Sequence, residues 1–203
     1  MMMATTHVLV GMLAAMLLTA VLPGAAPLDP LVVLVGGLGG LVPDLDLYAG
    51  HRRLLHYPVL GLSAAAAVGT LGLWGAPQLA LAVVFLTGFG LHAAMDVLGG
   101  GLELEPWRRG SARAVYSHVH GRWLTPRYVI PFDGSPQDLL LVVAAAGTLL
   151  WVGPPSLQPV VLAIAVVSVL YTLVRRRVPT LTRAMAARVP LRYQGLVPAR
   201  FVE

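Results

Sequence analysis

Six apolar segments separated by short polar stretches constrain this chain more than any other feature of its sequence. They cover residues 7–22, 30–43, 58–74, 78–98, 138–152 and 157–174. A membrane-spanning helix needs about 20 apolar residues, and a proline at a segment boundary suits the first turn of a helix. Only 11% of the residues are charged, against about a quarter in soluble domains. The sequence therefore predicts an all-α, polytopic transmembrane helical bundle of about six spans, whose first segment is a retained helix.

The arginines predict how this bundle is oriented. Positively charged residues collect on the cytoplasmic side of membrane proteins, and three arginines directly follow the sixth segment. Counting back through six spans places both termini and the loops 44–57 and 99–137 in the cytoplasm. The opposite loops (23–29, 75–77 and 153–156) contain no arginine. We therefore expect a multi-pass protein of the cell membrane, with a transmembrane domain over 1–178 and a basic cytoplasmic tail over 179–203.

The same topology places all six histidines at one face of the membrane. They are His7, His51, His56, His92, His118 and His120. Polar groups are costly in a bilayer and therefore mark functional sites more often than they do in soluble proteins. The chain has no cysteine, so any metal must be held by imidazole and carboxylate groups. The net charge of +5 is attributed to contacts with lipid headgroups, and no nucleic acid partner is expected.

The stretch 41–58, LVPDLDLYAGHRRLLHYP, is the densest polar cluster in the chain. Asp44 and Asp46 are two residues apart and are candidate metal ligands, although aspartate after proline is also common turn chemistry. His56 lies just before the third segment, where its side chain can point into an inner cavity. His51 is either an accessory acid or base or a solvated loop residue. The two arginines that follow it, at 52 and 53, are expected at the rim.

Three further side chains on apolar helices extend this cluster. His92 and Asp96 are four residues apart and so share one helix face, where they can bind one divalent ion or simply hydrogen-bond to each other. His7 lies in the first turn of an apolar helix with no polar partner nearby in the sequence. It must therefore find a partner in the bundle or reach back to the membrane surface.

The loop 99–137 combines arginines with aromatic residues, which suits a belt against lipid headgroups or a lid over a phosphorylated substrate. His118 in this loop is a candidate proton shuttle or ligand, and the exposed-loop interpretation is favoured for its neighbour His120. Asp138 belongs to the start of the fifth helix, where a role in the site is secondary.

The ordered set His7, PDLD (43–46), HRRLLH (51–56) and HAAMD (92–96) resembles the LexA-regulated, membrane-bound metal-dependent hydrolase family of prokaryotic inner membranes. That family has an early histidine, a G-x-x-P-D-x-D segment, an H-R-G-x-T-H-S segment and an H-x-x-x-D helix. Here Arg53, Leu55 and Tyr57 replace its glycine, threonine and serine, and the resemblance covers about residues 5–100. It implies a metal-dependent hydrolase. A distant similarity of the HxxxD helix to zinc-dependent phospholipases C and nucleases implies phosphoester hydrolysis, by analogy only.

These arguments together predict a membrane-embedded hydrolase that acts on a phosphoester, as a lipid or lipid-linked substrate, at the cytoplasmic face. The expected cofactor is a divalent metal, zinc first, as one or two ions. Its predicted ligands are His7, Asp44, Asp46, His56, His92 and Asp96, with His51 or His118 as acid or base. One alternative is an ion or metal transporter, since intramembrane His and Asp residues also mark ion pathways. Another is a non-catalytic membrane protein in which a metal holds the helices together.

Overall fold

The computed structural model describes residues 2–21, 29–48, 50–73, 79–195 and 197. Eight α-helices lie in these residues: α1 Ala4–Val21, α2 Pro30–Leu41, α3 Leu60–Leu73, α4 Ala80–Leu98, α5 Pro136–Val152, α6 Gln158–Val174, α7 Val178–Ala186 and α8 Leu191–Gln194. Short 3-10 turns occupy Val42–Tyr48, Pro106–Arg108, Pro155–Leu157 and Arg175–Arg177. The predicted outer loops 23–29 and 75–77 and the tail end 196–203 lie almost wholly outside the described residues. The all-α fold class is confirmed, and each of the six apolar segments forms a helix.

Two of the helix starts follow directly from local sequence. The Asp29 side chain caps α2 by accepting a hydrogen bond from the Leu31 amide at 2.8 Å, with Pro30 in the first turn. Ser135 caps α5 in the same way, accepting from the Asp138 amide at 3.3 Å. These caps satisfy amide groups that a helix leaves unpaired, and they fix where α2 and α5 begin.

The bundle centres on α2, which packs between α1 and α4. Helix α3 packs on α4, and α5 packs between α1 and α6. The glycines of α2 make this contact very close. A Cβ at Gly40 would overlap the carbonyl oxygen of His7 in α1, and one at Gly39 would overlap that of Phe85 in α4. Small residues allow helix backbones to approach in this way in membranes. As a result, the polar ends of α1, α2 and α4 meet at one point.

Three helices in the described part of the chain are long and apolar enough to cross a membrane: Pro30–Leu47, Ala80–Leu98 and Pro155–Ala186. In α1, α3 and α5 the apolar stretches Ala4–Ala20, Leu60–Gly72 and Pro136–Val152 are shorter than 18 residues. The predicted count of six full spans is therefore only partly met. The second segment reaches its length because the 3-10 turn that contains PDLD continues α2.

The loop 99–137 contains a small antiparallel hairpin, β1 Tyr116–Ser117 with β2 Arg122–Trp123. A buried ion pair fastens this loop to the end of α6. Arg175 donates to both carboxylate oxygens of Asp133, at 2.6 and 2.9 Å, and the Tyr171 hydroxyl donates to the same carboxylate. The C-terminal part of the loop is therefore held against the end of α6.

Candidate metal centre

The six predicted metal ligands come together at one end of the bundle. Together with His51, they supply three overlapping groups, and the ligand atoms of each group lie within 4.8 Å of one another. The groups are His7, His92 and Asp96; Asp44, His56 and His92; and Asp46, His51 and His56. Five of the six predicted ligands are buried, and the side chain of Asp44 is 20% exposed. Access from solvent is therefore greatest on the Asp44 side.

The imidazole of His92 is oriented by helix α2. Its Nδ1 donates a hydrogen bond to the Gly40 carbonyl at 2.6 Å, so the hydrogen of the neutral ring is on Nδ1 and the lone pair is on Nε2. This Nε2 is buried without a hydrogen-bond partner and lies 3.5 Å from Asp44 Oδ1 and 3.8 Å from Asp96 Oδ2. Three acceptor atoms thus face one another, and such an arrangement needs a cation or a proton between them.

The carboxylate of Asp46 orients two more imidazoles. Its Oδ1 accepts from His51 Nδ1 at 2.9 Å and from the Arg52 amide at 3.3 Å. Its Oδ2 accepts from His56 Nδ1 and from the Leu55 amide, both at 3.1 Å. The Nε2 atoms of both histidines are left buried and without a hydrogen-bond partner. A carboxylate behind a histidine is the usual way in which proteins aim the other ring nitrogen at a metal.

The two loop histidines differ in their titration. Burial lowers the pKa of His51, although its hydrogen bond to Asp46 acts in the opposite direction. Burial also acts to lower the pKa of His56, but the hydrogen bond to Asp46 and the Asp96 carboxylate outweigh it and raise the value above the ordinary one. The carboxylates around His56 therefore favour a positive charge beside its ring, which a proton or a bound metal ion can supply, whereas His51 favours its neutral form.

Arg52 is fully buried rather than at the rim, which corrects the expectation from sequence. Its Nε lies 3.1 Å from Asp96 Oδ2, and its NH1 donates to the carbonyls of Gly100 and Ala114 at 2.9 and 3.2 Å. Arg52 also has a backbone φ of +61°, which is rare for a residue with a side chain and accompanies its buried position. Arg53 is exposed and packs over the Tyr116 ring, as a rim residue should.

His7 reaches the cluster from α1. Its Nε2 is 3.3 Å from Asp96 Oδ1, and its ring stacks on that of His92 with centroids 3.8 Å apart. Its Nδ1 is buried and has no hydrogen-bond partner. The two oxygens of Asp96 therefore have different neighbours. His7 contacts Oδ1, whereas Oδ2 lies near His56, His92 and Arg52.

The charges in this cluster do not cancel. If every imidazole is neutral, the three carboxylates of Asp44, Asp46 and Asp96 and the Arg52 guanidinium beside Asp96 sum to a net charge of −2. Unbalanced charge is costly to bury, and one divalent cation would balance it. The donor set of imidazole nitrogen and carboxylate oxygen also suits zinc and other first-row metals.

Two residues considered from sequence lie apart from this cluster. His118 donates from Nε2 to the Arg53 carbonyl at 2.7 Å and stacks on Tyr57, and it belongs to none of the three candidate groups. Asp138 accepts from the Thr6 hydroxyl at 2.6 Å and from the Met3 amide at 2.8 Å. It thereby fixes the start of α1, which carries His7.

No family model, no curated protein and no solved structure matches this chain. The resemblance to the metal-dependent hydrolase family thus rests on the ordered motifs alone, and the class of the protein must be argued from its fold and site. These define a helical protein with apolar, membrane-length helices and a buried His/Asp cluster able to hold a metal ion.

Proposed function

We propose that this protein is a membrane-embedded, metal-dependent hydrolase that acts on a phosphoester at the cytoplasmic end of the bundle. The observation that carries the proposal is the convergence of Asp44 Oδ1, His56 Nε2, His92 Nε2 and Asp96 Oδ2. Neighbouring atoms in this set are 3.5, 3.6 and 3.8 Å apart. Four ligands about 2.1 Å from a tetrahedral ion lie about 3.4 Å from one another, and these three of the six separations are close to that value.

The roles of the remaining residues follow from their contacts. Both oxygens of Asp46 already accept two hydrogen bonds each, so we assign it to orienting His51 and His56 instead of to metal binding. His7 contacts Asp96, and in a two-metal site it would be a ligand of the second ion. Metal stoichiometry distinguishes one ion from two.

A divalent ion at this site would supply Lewis acidity and positive charge. The protein itself provides groups for proton transfer and for binding an anionic substrate. His51 Nε2, neutral and without a partner, can accept or return a proton. The NH2 nitrogen of Arg52 is a buried donor without a partner, suited to a phosphoryl oxygen. These two groups favour hydrolysis of a phosphoester over passive metal storage.

The first test is metal analysis of the purified full-length protein. We expect one or two divalent ions per chain in the wild type, and loss of metal in His92→Ala and Asp44→Ala. The control is His120→Ala, which removes an exposed histidine outside the cluster and should retain the metal. Equal and negligible metal content in all four proteins would contradict the metal centre.

The second test separates the three functions considered. A hydrolase should cleave p-nitrophenyl phosphate, bis-p-nitrophenyl phosphate or a phospholipid in vesicles, and this activity should be lost in His92→Ala and on chelation. A carrier should instead move metal into sealed vesicles. A protein with a structural metal should lose thermal stability on chelation while showing neither activity. Metal binding with no turnover of any phosphoester would overturn the hydrolase proposal.

A further inference from the structure

A surface groove lies along the end of α4, on the opposite side of that helix from the metal centre. We define the α4 groove by two adjoining cavities of about 680 and 550 Å³ that share Val97 and Arg127. The helix turns about 100° per residue, so Ala94, Val97 and Leu98 lie on the face opposite His92 and Asp96. The groove is therefore separate from the proposed active site.

The chain segment that forms the other wall is fixed to the end of α4. The amides of Arg127, Tyr128 and Ile130 donate to the carbonyls of Val97, Gly99 and Leu98, at 2.9, 3.2 and 3.1 Å. These carbonyls belong to the end of a helix, where no partner exists within the helix itself. The hydrogen bonds hold Arg127 where the two cavities meet and fix the backbone of this wall.

The lining of the groove is divided between apolar and cationic groups. One cavity is lined mainly by Pro58 and the apolar residues of α4, and the other contains Arg122, Trp123 and Arg127. Within the described residues, neither Arg122 nor Arg127 forms an ion pair with a carboxylate. Arg113 packs over the Trp123 ring and adds a third positive charge. The groove thus presents an apolar channel that ends at unpaired cations.

We propose that the α4 groove binds an anionic phospholipid. The acyl chain would lie against Ala94, Val97 and Leu98, and the phosphate would meet Arg122 and Arg127. The position supports this, because α4 is long and apolar enough to cross a membrane and the arginines follow its end. Trp123 and arginine together are typical of side chains at the depth of lipid headgroups. The proposal does not depend on the metal centre.

The test measures lipids retained by the full-length protein. The protein is reconstituted in equal amounts of phosphatidylcholine and phosphatidylglycerol, extracted, and analysed by native mass spectrometry. Each arginine near an anionic surface contributes about fivefold in affinity, so Arg122→Gln with Arg127→Gln should reduce retained phosphatidylglycerol about 25-fold. The matched control is Arg188→Gln with Arg192→Gln, which removes the same charge elsewhere and should change little.

A second variant tests the apolar part without changing charge. Val97→Phe fills the point that both cavities share and should also displace the lipid. Equal loss in the arginine pair and in its control would overturn the proposal, as would equal retention of the two lipids by the wild type. Displacement of phosphatidylglycerol by inorganic phosphate would instead identify a free-phosphate site. Normal retention in Val97→Phe would refute the placement of the acyl chain.

Discussion

Asp46→Asn is the most informative single change, because it separates a carboxylate that orients ligands from one that binds metal. Each oxygen of Asp46 accepts one imidazole N–H and one backbone N–H. Asparagine has the same shape but replaces one oxygen with a donor group. Two hydrogen bonds are then lost, and the new donor faces two others. One of the two histidines, His51 or His56, should lose its fixed orientation.

The expected effect on metal binding is large but incomplete. Removing a partner behind a ligating histidine typically lowers metal affinity 10- to 100-fold, or about 1.4–2.7 kcal/mol. Asp46→Asn should therefore bind zinc that much more weakly while keeping the wild-type stoichiometry at saturation. Asp44→Asn, which changes a proposed ligand, should also alter the coordination itself.

Competition with a chromophoric chelator measures the affinities, and the absorption spectrum of the cobalt-substituted protein reports the ligand set. We expect Asp46→Asn to keep the wild-type cobalt spectrum and Asp44→Asn to change it. A changed spectrum or a lost ion in Asp46→Asn would show that Asp46 is a ligand. Unchanged affinity in Asp46→Asn would refute the orienting role. Thermal unfolding without metal controls for damage to the fold.

Three further predictions concern the framework around the site. Gly40→Ala should destabilise the fold by about 1–3 kcal/mol and weaken metal binding, because its Cβ would meet the His7 carbonyl and push α1 away from α2. Gly147→Ala, in the interior of α5 with open space around the position, should stabilise by about 0.5–1 kcal/mol, and a lower melting temperature in that variant would contradict the packing argument. Asp133→Asn should cost about 3–5 kcal/mol, because it leaves the buried Arg175 without its countercharge. Thermal or chemical unfolding measures all three, and a loss below about 1 kcal/mol for Asp133→Asn would show that the ion pair contributes little.

The sequence predicts the helices well because their signals are local. Apolar runs, prolines and caps such as Asp29 and Ser135 mark where helices begin, and the i, i+4 spacing of His92 and Asp96 places both on one face. The number of full spans is harder to predict, because it depends on where each helix stops. The second apolar segment ends at residue 43 in the sequence, whereas the 3-10 turn Val42–Tyr48, which contains PDLD, lengthens α2 beyond that point.

The internal arrangement of the site could not be predicted, since it depends on contacts between distant segments. In HRR, nothing in the spacing distinguishes the arginine that turns inward from the one that stays exposed. The difference is a positive φ at Arg52 and two carbonyl acceptors, Gly100 and Ala114, which lie 48 and 62 residues further along the chain. Similarly, PDLD supplies two equivalent aspartates, and only the fold shows that Asp46 is saturated with hydrogen bonds while Asp44 faces His92.

The distribution of polar groups along the helices bears on the choice between hydrolase and carrier. A carrier needs a polar route through the bundle, with sites near the middle of the membrane. In α1 and α4 the hydroxyls distant from the cluster, those of Thr19 and Thr87, donate to carbonyls of their own helices. The imidazole and carboxylate groups of these two helices all lie at the cluster end, so a metal ion that left the cluster would meet no comparably strong ligand along α1 or α4. Since the unpaired nitrogens of His51, His56 and His92 all lie at one end of the bundle, the arrangement favours chemistry at that end over transport across it.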